Sequence, residues 1–142
     1  MYKKILVPLD GSEKANAAAE HAIELAAKLD AEVTLYHVIP ALSPYGNSNL
    51  NGAYQQIHNE IQATGEETLQ KAQDNFAKSG VKLDIKVIWG DPAEEICREA
   101  KEREFDLIVM GSRGLGEIRG FIMGSVSNRV VRHASTPVLI VR

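Results

Sequence analysis

Apolar residues come along this chain in two rhythms that take turns. Short unbroken runs, KKILVPL at 3–9, EVTLYHVI at 32–39 and FDLIVM at 105–110, are rich in β-branched residues and lack polar alternation, as strands covered on both faces do. VKLDIKVIW at 81–89 does alternate, with Val81, Leu83, Ile85, Val87 and Trp89 on one side and Lys82, Asp84 and Lys86 on the other. That pattern predicts an edge position in a sheet. PVLIV at 137–141 opens on Pro137, acceptable as a first strand residue because no ladder donor is needed there.

Between the strands the apolar period lengthens to that of a helix. After DGS at 10–12, Ala15, Ala18, Ala19, Ala22, Ile23, Ala26 and Leu29 recur at helical spacing, and Ser12 is placed to cap the first turn. Such small residues imply close packing on the sheet. From 51 to 79 the set Tyr54, Ile57, Ile61, Leu69, Ala72 and Phe76 keeps the same period, interrupted by Gly65 and stopped by Gly80. A third helix over 91–103 starts with Asp91 as N-cap, Pro92 at the first helical position and Glu94 at the third, and turns Ala93, Ile96, Cys97 and Ala100 inward. A last helix, 125–133, buries Val126 and Val130.

The resulting order β-α-β-α-β-α-β-loop-α-β implies an α/β fold: an open five-stranded parallel sheet with helices on both faces. Strand order 3-2-1-4-5 with right-handed crossovers would set the ends of the first and fourth strands side by side. The length of 142 residues is that of one domain. One long irregular stretch, PALSPYGNSNLNG at 40–52, is either a lid or a plain surface loop.

Composition narrows the class. With 44% hydrophobic residues, 25% charged and a net charge of −3, the chain reads as globular and mildly acidic, which disfavours a nucleic-acid partner. No apolar stretch reaches membrane-spanning length, and MYKKILVPL is too short and too soon interrupted to be a signal peptide; the expected location is the cytoplasm. Cys97 is the single cysteine, so neither an internal disulfide nor a cysteine-based zinc cluster can form. The four histidines are scattered without metal-ligand spacing, and His37, beside Val38 at a strand end, reads as structural.

Candidate chemistry gathers after the fourth strand. VMGSRGLGEIRGFIMGSVSNRVV at 109–131 holds five of the eleven glycines, and in open α/β sheets ligands bind beyond the carboxyl ends of the strands. Bare Cα positions let backbone amides approach an anion. Gly124-Ser125 opens a helix whose N-terminus favours negative charge, Ser125 and Ser127 add hydroxyls, and Arg113 and Arg119 add positive charge. The spacing is neither a P-loop, since Glu117 follows Gly116 and no lysine lies in the loop, nor a dinucleotide fingerprint, since Gly114, Gly116 and Gly120 read G-x-G-x-x-x-G. On residue chemistry alone an anion site and a merely pliable connection both remain open, as do an Asx-turn and a ligand contact for Asp10. A Ser12, His37 and Asp10 nucleophile triad lacks any G-x-S-x-G elbow to support it.

Gly111-x2-Gly114-x9-Gly124-Ser125 matches the G-x2-G-x9-G-[ST] motif of the ATP-binding branch of the universal stress protein family. The chain resembles that family from KILVPLDGS through GDPAEEI and DLIVMGSRG to TPVLIVR. The resemblance implies a Rossmann-like fold of the adenine nucleotide alpha hydrolase type. It also implies a site in which Asp10 meets the ribose, with Pro8 and Leu9 beside it, and Val38 flanks the adenine. Met110 and Gly111 would line the adenosine side, while Arg113, Gly114, Gly124, Ser125, Val126 and Ser127 would surround the phosphates. A Mg²⁺ or Mn²⁺ ion would be held mainly by phosphate oxygens, with no catalytic residue and no protein-built metal site expected. The function so implied is an ATP-dependent regulatory protein of the stress response, acting as a homodimer through its C-terminal strand. A slow ATP hydrolase and a nucleotide-free interaction module are the alternatives.

Overall fold

The computed structural model describes residues 1–41, 52–114 and 123–142. Five parallel strands, β1 (Lys4–Pro8), β2 (Glu32–Pro40), β3 (Leu83–Gly90), β4 (Leu107–Gly111) and β5 (Val138–Val141), are ordered β3-β2-β1-β4-β5. Four α-helices connect them in sequence: α1 (Glu13–Leu29), α2 (Gly52–Asn75), α3 (Pro92–Glu102) and α4 (Ser125–His133), with a 3₁₀ turn over Ala77–Ser79. The expected sheet order is therefore the observed one, and β3, whose sequence alternates, lies at an edge.

The interior strands bury both faces because successive side chains point to opposite sides of a strand. Ile5, Val7, Val33, Leu35, Leu107 and Val109 enter the core beneath α1 and α2. Leu6, Tyr36, Val38, Ile108 and Met110 enter the second core, beneath α3 and α4. Five alanines of α1, Ala15, Ala18, Ala19, Ala22 and Ala26, are all buried, so this helix lies close on the sheet. Ser12 accepts a hydrogen bond from the Ala15 amide and Asp91 one from Glu94, fixing the starts of α1 and α3 as their sequences indicate. At the opposite end of the sheet, Asp106 accepts from the Lys3 and Lys4 amides at 2.8 and 2.9 Å, which holds its carboxyl below the usual carboxylate range.

Several inward assignments are corrected. Leu29 and Ile57, placed inside by their spacing, are 38% and 51% exposed. Only Gly65 and Leu69 are buried along the whole of α2. Cys97 is half-buried at the margin of the α3–α4 core rather than enclosed by it. Burial still pushes its thiol up, against the pull of Arg129.

Gly65 itself is no weak point. A Cβ there would lie 2.9 Å from His37 Cδ2 and 3.3 Å from Ile39 Cδ1. The missing side chain lets α2 close onto the end of β2, in exchange for the helix propensity of about 1 kcal/mol that glycine forfeits.

Candidate functional site

β1 and β4 are neighbours in the sheet, yet the chain leaves them toward opposite faces, into α1 and toward α4. A crevice of about 320 Å³ opens at their carboxyl ends, within the size range of small-molecule sites. One wall comes from the end of β1 and the turn after it: Pro8, Leu9 and Asp10, backed by Ala15 of α1. The facing wall is Met110, Gly111, Arg113 and Gly114, with Val126 and Ser127 of α4 above it. The third side, between β2 and α3, is mostly apolar: Tyr36, His37, Val38, Pro40, Pro92 and Ile96.

Why the two turns meet can be read from their missing side chains. Gly111 crosses under the first turn of α1, where a Cβ would lie 2.7 Å from the Lys14 carbonyl carbon and 2.8 Å from its oxygen. Gly114 faces Asp10 so closely that a Cβ would lie 2.4 Å from Oδ2. Two hydrogen bonds fasten the start of α4 to the end of β4: the Gly124 amide donates to Ser112 O at 2.6 Å and Ser127 Oγ donates to Gly111 O at 2.7 Å. The Ser112 amide in turn donates to Val141 O at 2.9 Å, tying the turn to β5. A helix N-terminus thus stands over the crevice, with the amides and dipole that favour anions.

Of the twelve residues singled out from the sequence, ten line this crevice: Pro8, Leu9, Asp10, Val38, Met110, Gly111, Arg113, Gly114, Val126 and Ser127. Gly124 and Ser125 form the N-cap and first residue of α4 and stand outside the lining. The hydroxyl proton of Ser127 is committed to Gly111 within the protein, so toward a ligand this residue offers its backbone and the hydroxyl lone pairs. Asp10 forms the Asx-turn, its Oδ1 accepting from the Ser12 amide at 2.9 Å, and the residue also lines the crevice. Arg119 and positions 42–51 of the suggested lid lie outside the described residues; of its ends, Pro40 closes β2 and Gly52 opens α2.

Five lining residues were not singled out from the sequence: Ala15, Tyr36, Pro40, Pro92 and Ile96. Ile96 and Ala15 carry the ordinary signal of helix residues facing a core, and Pro92 that of a helix start; only the fold shows that they stop short of closing it. Tyr36 is 1% exposed, its hydroxyl directed to Glu95 O at 3.4 Å. Burial, with Glu99 and Glu95 adding to it, pushes its phenol up, so it stays protonated. Outside the crevice, Asp91 at the start of α3 pairs with Arg129 of α4 at 3.0 Å, bracing the two helices that flank it.

An open parallel sheet, doubly wound, with a crevice at its switch point and a helix N-terminus beside it, defines a Rossmann-like α/β domain. The comparisons with known proteins narrow this class. The universal stress protein family model matches residues 1–142, and the chain belongs to that family. It is 37% identical to universal stress protein MJ0531 of Methanocaldococcus jannaschii over 142 residues, covering all of this chain and 83% of that one. The solved structure of MJ0577, from the same organism, superposes with a TM-score of 0.86 at 30% identity, over 99% of this chain and 96% of that one. A universal stress protein solved in complex with cAMP superposes with a TM-score of 0.70 at 26% identity, over 99% and 97% of the two chains.

Proposed function

We infer that this protein binds ATP, or a related adenine nucleotide, in the crevice between β1 and β4, and that occupancy of the crevice is its regulatory signal in the stress response. The observation carrying this reading is the joining of Asp10, Gly111, Arg113, Gly114 and the first turn of α4 around one hollow. The apolar side formed by Val38, Pro40, Pro92 and Ile96 suits a flat base. The opposite end, with Arg113 and the helix N-terminus, suits phosphates. That a relative of the same fold was solved with cAMP supports an adenine nucleotide as the occupant.

Asp10 is the one carboxylate among the described lining residues, and it belongs at the sugar end, because beside a polyphosphate it would repel unless a cation stood between. Among the described residues no three His, Cys, Asp or Glu side chains gather as a metal site. A Mg²⁺ or Mn²⁺ ion arriving with ATP would therefore take its ligands from phosphate oxygens and water. Homodimerisation through β5 completes the reading: it is the terminal strand of the sheet, Leu139 on it is 41% exposed, and an uncovered apolar edge favours pairing. Among the described residues no helix is long and apolar enough to cross a membrane, in keeping with a cytoplasmic protein.

The test is native mass spectrometry of the purified protein, followed by calorimetric titration of the nucleotide-free form with ATP and Mg²⁺. One bound adenine nucleotide per chain is the expected result. A nucleotide-free protein showing no heat with ATP would end the proposal.

A further inference from the structure

We propose that His37, which the sequence alone presents as a structural histidine, is a positioning residue for the nucleoside end of the crevice; this rests on the nucleotide-binding reading above. β1 ends at Pro8, but the next residue remains bound to β2 twice. The Leu9 amide donates to Tyr36 O at 2.8 Å, and the Leu9 carbonyl meets His37 Nδ1 at 2.6 Å. A carbonyl can only accept, so Nδ1 carries the proton and donates it. A trans peptide holds its C=O and N–H on opposite sides, so the bond from His37 to the Leu9 carbonyl sets the orientation of the Leu9–Asp10 peptide. The imidazole thereby sets the peptide from which the Asp10 carboxylate departs, at the place where β1 leaves the sheet.

The ring is itself held from behind. Gly65 of α2 lies against its far edge, where a Cβ would come within 2.9 Å of Cδ2 and 3.4 Å of Nε2. Gly11, in the turn after Asp10, faces the same helix through Thr68, 3.7 Å from where a Cβ would stand. Helix α2 therefore reaches the crevice wall through one imidazole, although neither Gly65 nor Thr68 lines the crevice.

The experiment measures calorimetric affinity for adenosine and for ATP in wild type, His37→Leu, His37→Asn, Gly65→Ala and Gly65→Ala/His37→Asn, with thermal melts on each. Leucine removes the donor. Asparagine keeps an N–H near the position of Nδ1 and deletes the ring edge facing Gly65. His37→Leu should bind both ligands weaker by the same factor, roughly five- to tenfold for one lost hydrogen bond, whereas His37→Asn should stay near wild type. Gly65→Ala should reproduce the loss by pushing the ring, and adding His37→Asn should reverse it. A merely structural histidine would move the melting temperature but produce neither the asparagine rescue nor equal losses for the two ligands. His37→Leu binding adenosine like wild type, or losing affinity for ATP alone, would overturn the assignment while leaving nucleotide binding intact. Wild type that binds neither ligand would instead remove the parent reading, and this one with it.

Discussion

Two glycines three residues apart are predicted to fail in different ways when each is given a single methyl. At Gly111 the new Cβ would meet main chain, the Lys14 carbonyl at 2.7 to 2.8 Å, and α1 can yield only by lifting from a sheet on which five of its alanines are buried. Overpacking of this kind costs about 1–3 kcal/mol. Neither glycine has a positive φ, so alanine adopts either backbone and recovers about 0.4–1 kcal/mol through a less disordered unfolded chain. The net expectation for Gly111→Ala is a loss of about 1–2 kcal/mol, a melting temperature lower by roughly 2–8 °C. At Gly114 the Cβ would meet only the tip of a side chain, Asp10 Oδ2 at 2.4 Å. The carboxylate can swing away; the Ser12 amide bond it then forfeits is worth about 1 kcal/mol, close to the same entropy gain. Gly114→Ala should therefore melt close to wild type while its displaced carboxylate weakens nucleotide binding. Circular dichroism melts paired with ATP calorimetry read both effects. Equal destabilisation by the two variants, or a Gly114→Ala protein with undiminished affinity, would refute the division of roles.

Ser127→Ala should cost about 1–3 kcal/mol in a urea melt, because it strips a buried carbonyl, Gly111 O, of its donor. Asp91→Asn tests a pH dependence: Arg129, the Glu94 amide and lesser contributions hold the Asp91 carboxyl below the usual carboxylate range. A group with a depressed folded-state value stabilises above its unfolded value and loses that contribution as pH falls through the folded one. The wild type should thus out-melt Asp91→Asn at pH 7, and the gap should close as pH falls below the usual carboxylate range. The gap should be small, since the two side chains of the pair are 41% and 46% exposed. On the proposed pairing through β5, Leu139→Lys should shift the light-scattering mass from dimer to monomer without lowering the melting temperature of the isolated chain, since this side chain is already 41% exposed.

The strands, helices and sheet order were legible because each rests on local signals that agree: unbroken β-branched runs, alanines at helical spacing, Ser12 and Asp91 at helix starts. The two turns of the crevice were legible for a different reason. Their residue chemistry alone left a pliable connection open; it was the match of Gly111, Gly114 and Gly124-Ser125 to the universal stress protein motif that marked them. Hidden were the residues whose sequence signal is identical in a core and in a ligand wall. Ile96 points inward at helical spacing whether it meets another side chain or a base, and the start of α3 at Pro92, relative to the end of β2 at Pro40, decides which. No one-dimensional pattern records that offset between elements.

Gly65 shows how a signal can be present and still be misjudged. A glycine inside a helical period weakens the helix when considered alone, yet a helix that keeps one in its middle gives up propensity for close approach. Here the approach is to His37, so the glycine inside the helix and the histidine near the strand end are one contact seen from two ends. What separates Gly65, Gly111 and Gly114 is the atom that a Cβ would strike. At Gly111 it is main chain, at Gly65 the edge of a ring that fixes the Leu9 peptide, and at Gly114 a carboxylate facing the crevice. From the first to the third, the consequence of a methyl passes from stability to binding. The glycines around this crevice therefore do more than loosen the chain: each is required by a particular neighbour.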